Sequence, residues 1–245
     1  MSDISRLQAF LCATAATGRE VVAVPSFTAY LDPADPLRYL NYAIPEDGAE
    51  PPAAAIERLR KAFRGRDRLP RLEWIEEAAP RVAPALAAAG MREELRTPLM
   101  ACEPAGLRDA SADVPGLTVA PVGEEDRRAC ANLQRVAFGE APLQESEEPR
   151  KWSGGAVLAR SHGVPVSAAS WTPVVDGVSE VAGVATAEEW RRRGLAGAVT
   201  AAAAREAFAA GAVLCVLSPG NETAQRVYAR AGFTRVATML HWSDG

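Results

Sequence analysis

The apolar positions of this chain change period several times, and each change marks an element. EEDRRACANLQRVAF (residues 124–138) spaces its apolar residues at helical intervals and opens with acids, so it predicts a helix. LTVAPV, just before it, reads as a short strand. AVLARSH and VPVSAASW flank His162-Gly163, a hairpin signal. GVSEVAGVAT then predicts a strand, RRGLAGAVTAAAAREAFAAG a helix closed by Gly211, AVLCVLS a strand, NETAQRVYARAG a helix closed by Gly232, and FTRVATMLHW a final strand. The order β-α-β-β-β-α-β-α-β predicts an α+β, or mixed α/β, fold with a central mixed β-sheet flanked by helices. Upstream, CEPAGLRDASADVPG (residues 102–116) is rich in Pro, Gly, Ala and Asp, shows no apolar period, and reads as a linker.

Composition narrows the functional classes. With 245 residues, the chain has room for one large domain or two small ones. A net charge of −4 argues against a general nucleic-acid binder, so any basic site has to be local. Cys12, Cys102, Cys130 and Cys215 are widely spaced and only His162 and His241 accompany them, so no metal site and four free thiols are expected. Neither a leader nor an apolar run of about 18 residues is evident, which makes a cytoplasmic protein without a membrane partner the expectation.

The densest positive charge lies in EEWRRRGLAGAV (residues 188–199), immediately before an alanine-rich helix. A strand that ends in a tight glycine turn and feeds a helix aims free backbone N–H groups at one point, and the helix dipole adds positive charge there. That is an anion site, with small residues beside it to admit a close ligand; the bland alternative is a solvated charge run. In the next helix, Asn221, Ala224 and Tyr228 fall on one face. Asn221 alternatively caps that helix after Pro219-Gly220, and Tyr228 alternatively belongs to the core. His162 and His241 read as surface residues, and Trp171, Trp190 and Trp242 as packing at strand ends.

The strand VAGVAT, the turn EEWRRRGLA, the strand VLCVLS and the pattern N-x-x-A-x-x-x-Y-x-x-x-G-F, spelled by Asn221, Ala224, Tyr228, Gly232 and Phe233, together resemble the GNAT superfamily of acyl-CoA-dependent N-acetyltransferases. The resemblance implies that the turn formed by Arg191, Arg192, Arg193, Gly194, Leu195, Ala196 and Gly197 holds the pyrophosphate of acetyl-CoA. It implies that Val184 and Thr186 pair with the pantetheine arm as an added strand, that Asn221 and Ala224 contact the cofactor, and that no metal is needed. Tyr228 would protonate the departing thiolate. Glu180 is the candidate base, on the expectation that it shares side-chain parity with Ala182, Val184 and Thr186; a β-bulge would upset that parity. Glu140 and an ordered water are alternatives. The implied activity is acetyl transfer to a primary amine by direct attack in a ternary complex, and the alternative is a non-catalytic acyl-CoA sensor or scaffold. Expected partners are a small-molecule or protein amine acceptor, with a homodimer as a further expectation and nucleic acid excluded.

An internal match extends the reading upstream. Setting Gly90-Met91 against Gly232-Phe233 places LEWI (72–75) on LCVL (214–217) and ALAAAGM on VYARAGF. In that register Ala79 faces Asn221, Leu86 faces Tyr228, and Pro51-Pro52 face Arg193-Gly194, so the functional positions do not recur. The expected organisation is a degenerate GNAT-like domain at 1–105, a linker at 106–116 and a catalytic domain at 117–245. The alternative for the first part is an unrelated helix-and-hairpin extension.

Overall fold

The computed structural model describes residues 3–149 and 153–245. Its elements run α1 (Asp3–Ala16), β1 (Glu20–Val24), β2 (Phe27–Leu31), β3 (Tyr42–Pro45), α2 (Ala53–Arg64), β4 (Arg71–Ile75), α3 (Val82–Ala88) and β5 (Arg92–Cys102). They continue with β6 (Leu117–Pro121), α4 (Arg127–Ala137), β7 (Gly155–Ser161), β8 (Val164–Trp171), β9 (Val178–Thr186), α5 (Leu195–Ala209), β10 (Leu214–Leu217), α6 (Glu222–Arg230) and β11 (Thr234–Ser243). The chain forms two compact units: one holds the residues up to Leu99 together with Val236–Gly245, the other Met100–Arg235.

This division departs from the one expected at residues 105 and 117. The departure has a simple cause in strand pairing. β11 pairs antiparallel with β4, Met239 opposite Ile75 through Ser243 opposite Arg71, so the last strand belongs to the first unit. The place beside β10 is held by the end of β5, with Met100, Ala101 and Cys102 opposite Leu217, Val216 and Cys215. The expected linker contains one short turn, Pro104–Gly106, and otherwise no regular structure.

In the first unit the strands run β1-β2-β3-β4-β11, antiparallel except for the parallel contact of β3 with β4 at Ala43 and Leu72. The α2 sequence AAAIERLRKAFR puts Ile56, Leu59 and Phe63 on one face, and all three are buried with Leu72 and Trp74 from β4. Each such side chain contributes about 1.5–3 kcal/mol by leaving water. The opposite face of β4 carries Arg71 and Glu73. Arg71 donates to Glu73 and, at 2.9 Å, to Glu94, and its Nη2 lies 3.2 Å from Nδ1 of His241. His241, expected at the surface, is therefore packed into an ionic cluster. Where β3 and β4 end, the buried side chain of Gln8 lies between them: Nε2 donates to the carbonyl of Pro45 at 3.1 Å, and Oε1 accepts from the amide of Ile75 at 3.3 Å.

In the second unit the order is β5-β10-β9-β8-β7-β6, with β9 and β10 parallel and the other pairs antiparallel. His162 (φ +47°) and Gly163 (φ +85°) form the two-residue turn of the β7–β8 hairpin, as the alternation on either side predicts. Ala201, Ala203, Ala204 and Ala207 of α5 are buried, so this helix lies close against the sheet instead of standing off on long side chains. Mixed sheet and flanking helices match the predicted fold class.

If Gln8 is what joins the ends of β3 and β4, Gln8→Ala leaves a buried carbonyl and a buried amide unpaired, at a cost of about 1–3 kcal/mol. Hydrogen exchange should show the Ile75 amide opening faster by the corresponding factor, with peptides from Met100–Arg235 unchanged. Unaltered protection at Ile75 would refute the assignment.

Candidate active site

Parallel pairing of β9 with β10 runs only from Val178 opposite Leu214 to Glu180 opposite Val216; β9 continues for six more residues, while β10 ends at Leu217. The strands part there, and a cleft of about 620 Å³ lies between the free arm of β9, the start of α5 and α6. It is lined by Val184, Thr186, Arg191, Arg192, Gly194, Leu195, Ala196, Gly197, Asn221, Ala224 and Tyr228, which brings together eleven of the thirteen residues expected to form the site.

The exceptions are Arg193 and Glu180. Arg193 donates to the carbonyl of Glu189 at 3.2 Å and stacks its guanidinium 4.8 Å over the ring of Trp190, and it is not among the lining residues. Glu180 is displaced by a β-bulge. Ser170 pairs with Ala182 and Ala168 with Ala185, two residues apart on β8 against three on β9, and Gly183 between them has φ +60°. Ser170 and Ala168 share a face of β8, so Ala182 and Ala185 share a face of β9, and Glu180 goes with them. Val184 packs with the α5 core instead, and Thr186 lies opposite Ser167. The expected common parity of Glu180, Val184 and Thr186 is thus broken by the bulge. Glu140 is exposed, 3.3 Å from Arg135, and does not line the cleft.

The turn before α5 combines left-handed backbone with a helix start. Arg192 (φ +64°) and Gly194 (φ +82°) both adopt left-handed backbone, which for arginine costs about 1–2 kcal/mol and curls successive amides toward one point. The first-turn amides of α5 have no partner within the helix and carry its positive dipole end. Nε of Arg191 reaches the carbonyl of Thr186 at 3.4 Å, tying the turn to the end of β9. Gly194 serves more than a ligand. A Cβ there would lie 3.0 Å from the carbonyl oxygen of Ser111, and one at Gly197 would lie 3.1 Å from the Cβ of Ala110. The segment read as a linker is therefore packed on the turn, and Asp109, Ala110 and Ser111 form part of the cleft wall.

At the other end of the cleft, Asn221 caps α6 by accepting from the amide of Ala224 at 2.9 Å, so the capping reading holds, and it also lines the cavity. Ala224 leaves a gap between Asn221 and Tyr228. Tyr228 is 9% exposed, and burial raises its phenol to about 12, so the hydroxyl stays protonated through the neutral range. Trp190, read from the sequence as packing at a strand end, lines the cavity, as does Phe138, which was not singled out and is 61% exposed. For Trp190 the available signal was its place three residues before Arg193. Among the described residues no group of three His, Cys, Asp or Glu is arranged to hold a metal ion, and no helix is long and apolar enough to cross a membrane.

A model of the Acetyltransferase (GNAT) family matches residues 127–233, which include all thirteen expected site residues. Among solved structures, the chain is similar to a GCN5-related N-acetyltransferase from Kribbella flavida, with 35% identity over 100% of this chain and 96% of that one and a TM-score of 0.86. It also resembles in fold a GCN5-related N-acetyltransferase from Sphaerobacter thermophilus (18% identity, 89% and 76% covered, TM-score 0.64). A tandem GNAT protein from the clavulanic acid biosynthesis pathway shares the fold over 99% of this chain and 96% of that one, at 14% identity and a TM-score of 0.58. No curated protein matches the sequence.

Ala196→Asp tests the anion site without straining the backbone, because an acid in the first turn of a helix is intrinsically favourable. The variant should keep its unfolding midpoint yet bind acetyl-CoA roughly tenfold more weakly or worse, through repulsion of the pyrophosphate. Calorimetry decides it; unchanged affinity would remove the α5 N-terminus from the site.

Proposed function

We propose, from the premise that the chain belongs to the GNAT acetyltransferase family, that it moves the acetyl group of acetyl-CoA to a primary amine by direct attack within a ternary complex. The observation that carries this reading is one cleft joining the anion-binding start of α5 to a buried, protonated phenol at Tyr228. In the reaction, the neutral amine nitrogen attacks the thioester carbonyl carbon. Collapse of the tetrahedral adduct breaks the C–S bond, and the phenol of Tyr228 gives its proton to the departing thiolate. The amine loses one proton, which returns through solvent to the phenolate, so amide and free thiol are the only products. Glu180, on the β9 face shared with Ala182, is the carboxylate for taking that proton on the acceptor side; ordered water is the alternative. The residues around the cleft are suited to the acyl donor: amides and Arg191 and Arg192 for the pyrophosphate, and an unpaired strand arm at Val184 and Thr186 for the pantetheine amides. The cellular setting is cytoplasmic in this reading.

The first unit belongs to the same proposal as a second copy of the fold that binds no cofactor. Several features support this. Ala53 and Leu195 open α2 and α5, and Arg92 and Thr234 open β5 and β11, both pairs 142 residues apart (195 − 53 and 234 − 92). With Leu72 equivalent to Leu214, the pairing registers make Ala43 equivalent to Val178 and Pro45 to Glu180. From that level the second unit needs residues 181–194 to reach its helix, whereas the first has only 46–52; the free strand arm is missing. Pro52 stands where Gly194 caps the helix, Pro51 offers no N–H to a phosphate, and Gln8 occupies the gap between the strands.

Thiol release against a panel of amines tests the enzyme directly. Tyr228→Phe should lower kcat about a hundredfold with little change in acetyl-CoA affinity. Because burial raises its pKa, Tyr228 should impose no alkaline fall in rate below about pH 10. Absence of transfer to any amine, alongside intact acetyl-CoA binding, would favour the sensor instead. Acetyl-CoA titration should saturate at one site per chain; two sites would overturn the account of the first unit.

A further inference from the structure

We propose that Gln134 is a positioning residue that sets the cofactor-facing strand by holding the β9 bulge; this rests on the acetyl-CoA reading of the cleft. Nε2 of Gln134, on α4, donates to the carbonyl of Gly183 at 2.8 Å. Gly183 is the residue whose left-handed φ of +60° adds the extra step in β9. That step turns Val184 toward the cleft while Ala182 and Glu180 remain on the other face. The fit between amide and bulge is close: a Cβ on Gly183 would sit 2.5 Å from Nε2 of Gln134 and 2.9 Å from Oγ of Ser170. Neighbouring carbonyls are also taken by side chains, Ala182 by Oγ of Ser170 at 3.0 Å and Ala185 by Oγ of Ser167 at 2.7 Å. Beyond Glu180 no described strand pairs with β9 on the β10 side, and these side-chain bonds take carbonyls of β9 where its register with β8 breaks.

The placement of Gln134 on α4 suits the role. Cys130, Gln134 and Ala137 recur at helical spacing; Cys130 is fully buried, and Ala137 lines the cleft. One helix face thus runs from an anchored core residue, through the amide that grips the bulge, to the cavity wall. The two units supply a contrast. Gln8 of α1 bridges both parallel strands and fills the gap, whereas Gln134 holds β9 alone and the cleft beside it stays open.

The test is Gln134→Glu, with Gln134→Leu beside it, read by acetyl-CoA calorimetry against wild type at each pH. An ionised carboxylate has no proton to offer the Gly183 carbonyl, while a protonated one donates as the amide does. At pH 8 both variants should bind roughly tenfold more weakly than wild type. Near pH 4, where a carboxyl of ordinary pKa about 4.3 is mostly protonated, Gln134→Glu should recover to within about twofold and Gln134→Leu should not. A general packing role would leave both deficits independent of pH, and that result overturns the proposal. So does wild-type affinity in Gln134→Glu at pH 8. Wild type that fails to bind acetyl-CoA removes the functional reading itself, and this role with it, which separates the two failures.

Discussion

Two parallel strands that share a ladder for only three residues govern the second unit. Beyond Glu180 and Val216, β9 and β10 no longer exchange backbone hydrogen bonds, and unpaired strand edges are costly unless something else meets them. On the β8 side, Ser167, Ser170 and Gln134 hold the carbonyls around the bulge at Gly183. On the open side the missing ladder leaves a cleft whose wall is itself a strand edge. The left-handed turn at Arg192 and Gly194 then brings a helix start against the same opening, so hydrogen-bond donors and positive charge converge where pairing has lapsed. In a chain with a net charge of −4, Arg191 and Arg192 are thereby gathered on one cleft.

The alanine content of α5 belongs to the same arrangement. A helix with leucines at Ala201, Ala203, Ala204 and Ala207 would stand farther from the sheet, and its first turn would lie farther from the end of β9. The small residues that look permissive in the sequence are thus a distance constraint. Gly194 and Gly197 extend it outward, since the Ser111 carbonyl and the Ala110 side chain approach to where their own side chains would be.

Much of this was legible from periodicity and punctuation. Glycines that close helices, the His162-Gly163 turn and the apolar alternation of β7 and β8 act locally, and local signals survive in a single sequence. Eleven of the thirteen residues expected at the site lie on the cleft because the motifs are short and contiguous. What escaped was set by partners distant in the chain. The parity of Glu180 depends on one extra residue in a strand, which sequence spacing cannot register. Arg193 reads as one of three equivalent arginines until Trp190 captures it. Asp109 to Ser111 look like a polar connection because the residues they pack on lie more than eighty positions away. The unit boundary was missed for a similar reason: β11 carries the pattern of a strand, and nothing in that pattern names β4 as its neighbour.

The exchange of β5 and β11 bears on how the chain is made. On the ribosome, residues 71–75 emerge long before residues 239–243, the strand that covers their edge. The apolar segment around Trp74 must therefore persist through most of synthesis with that edge unprotected, while Met100–Arg235 is still being produced. The unit first in sequence is the one completed last, and nascent chains stalled before residue 236 are the species most exposed to chaperones and to edge-to-edge aggregation.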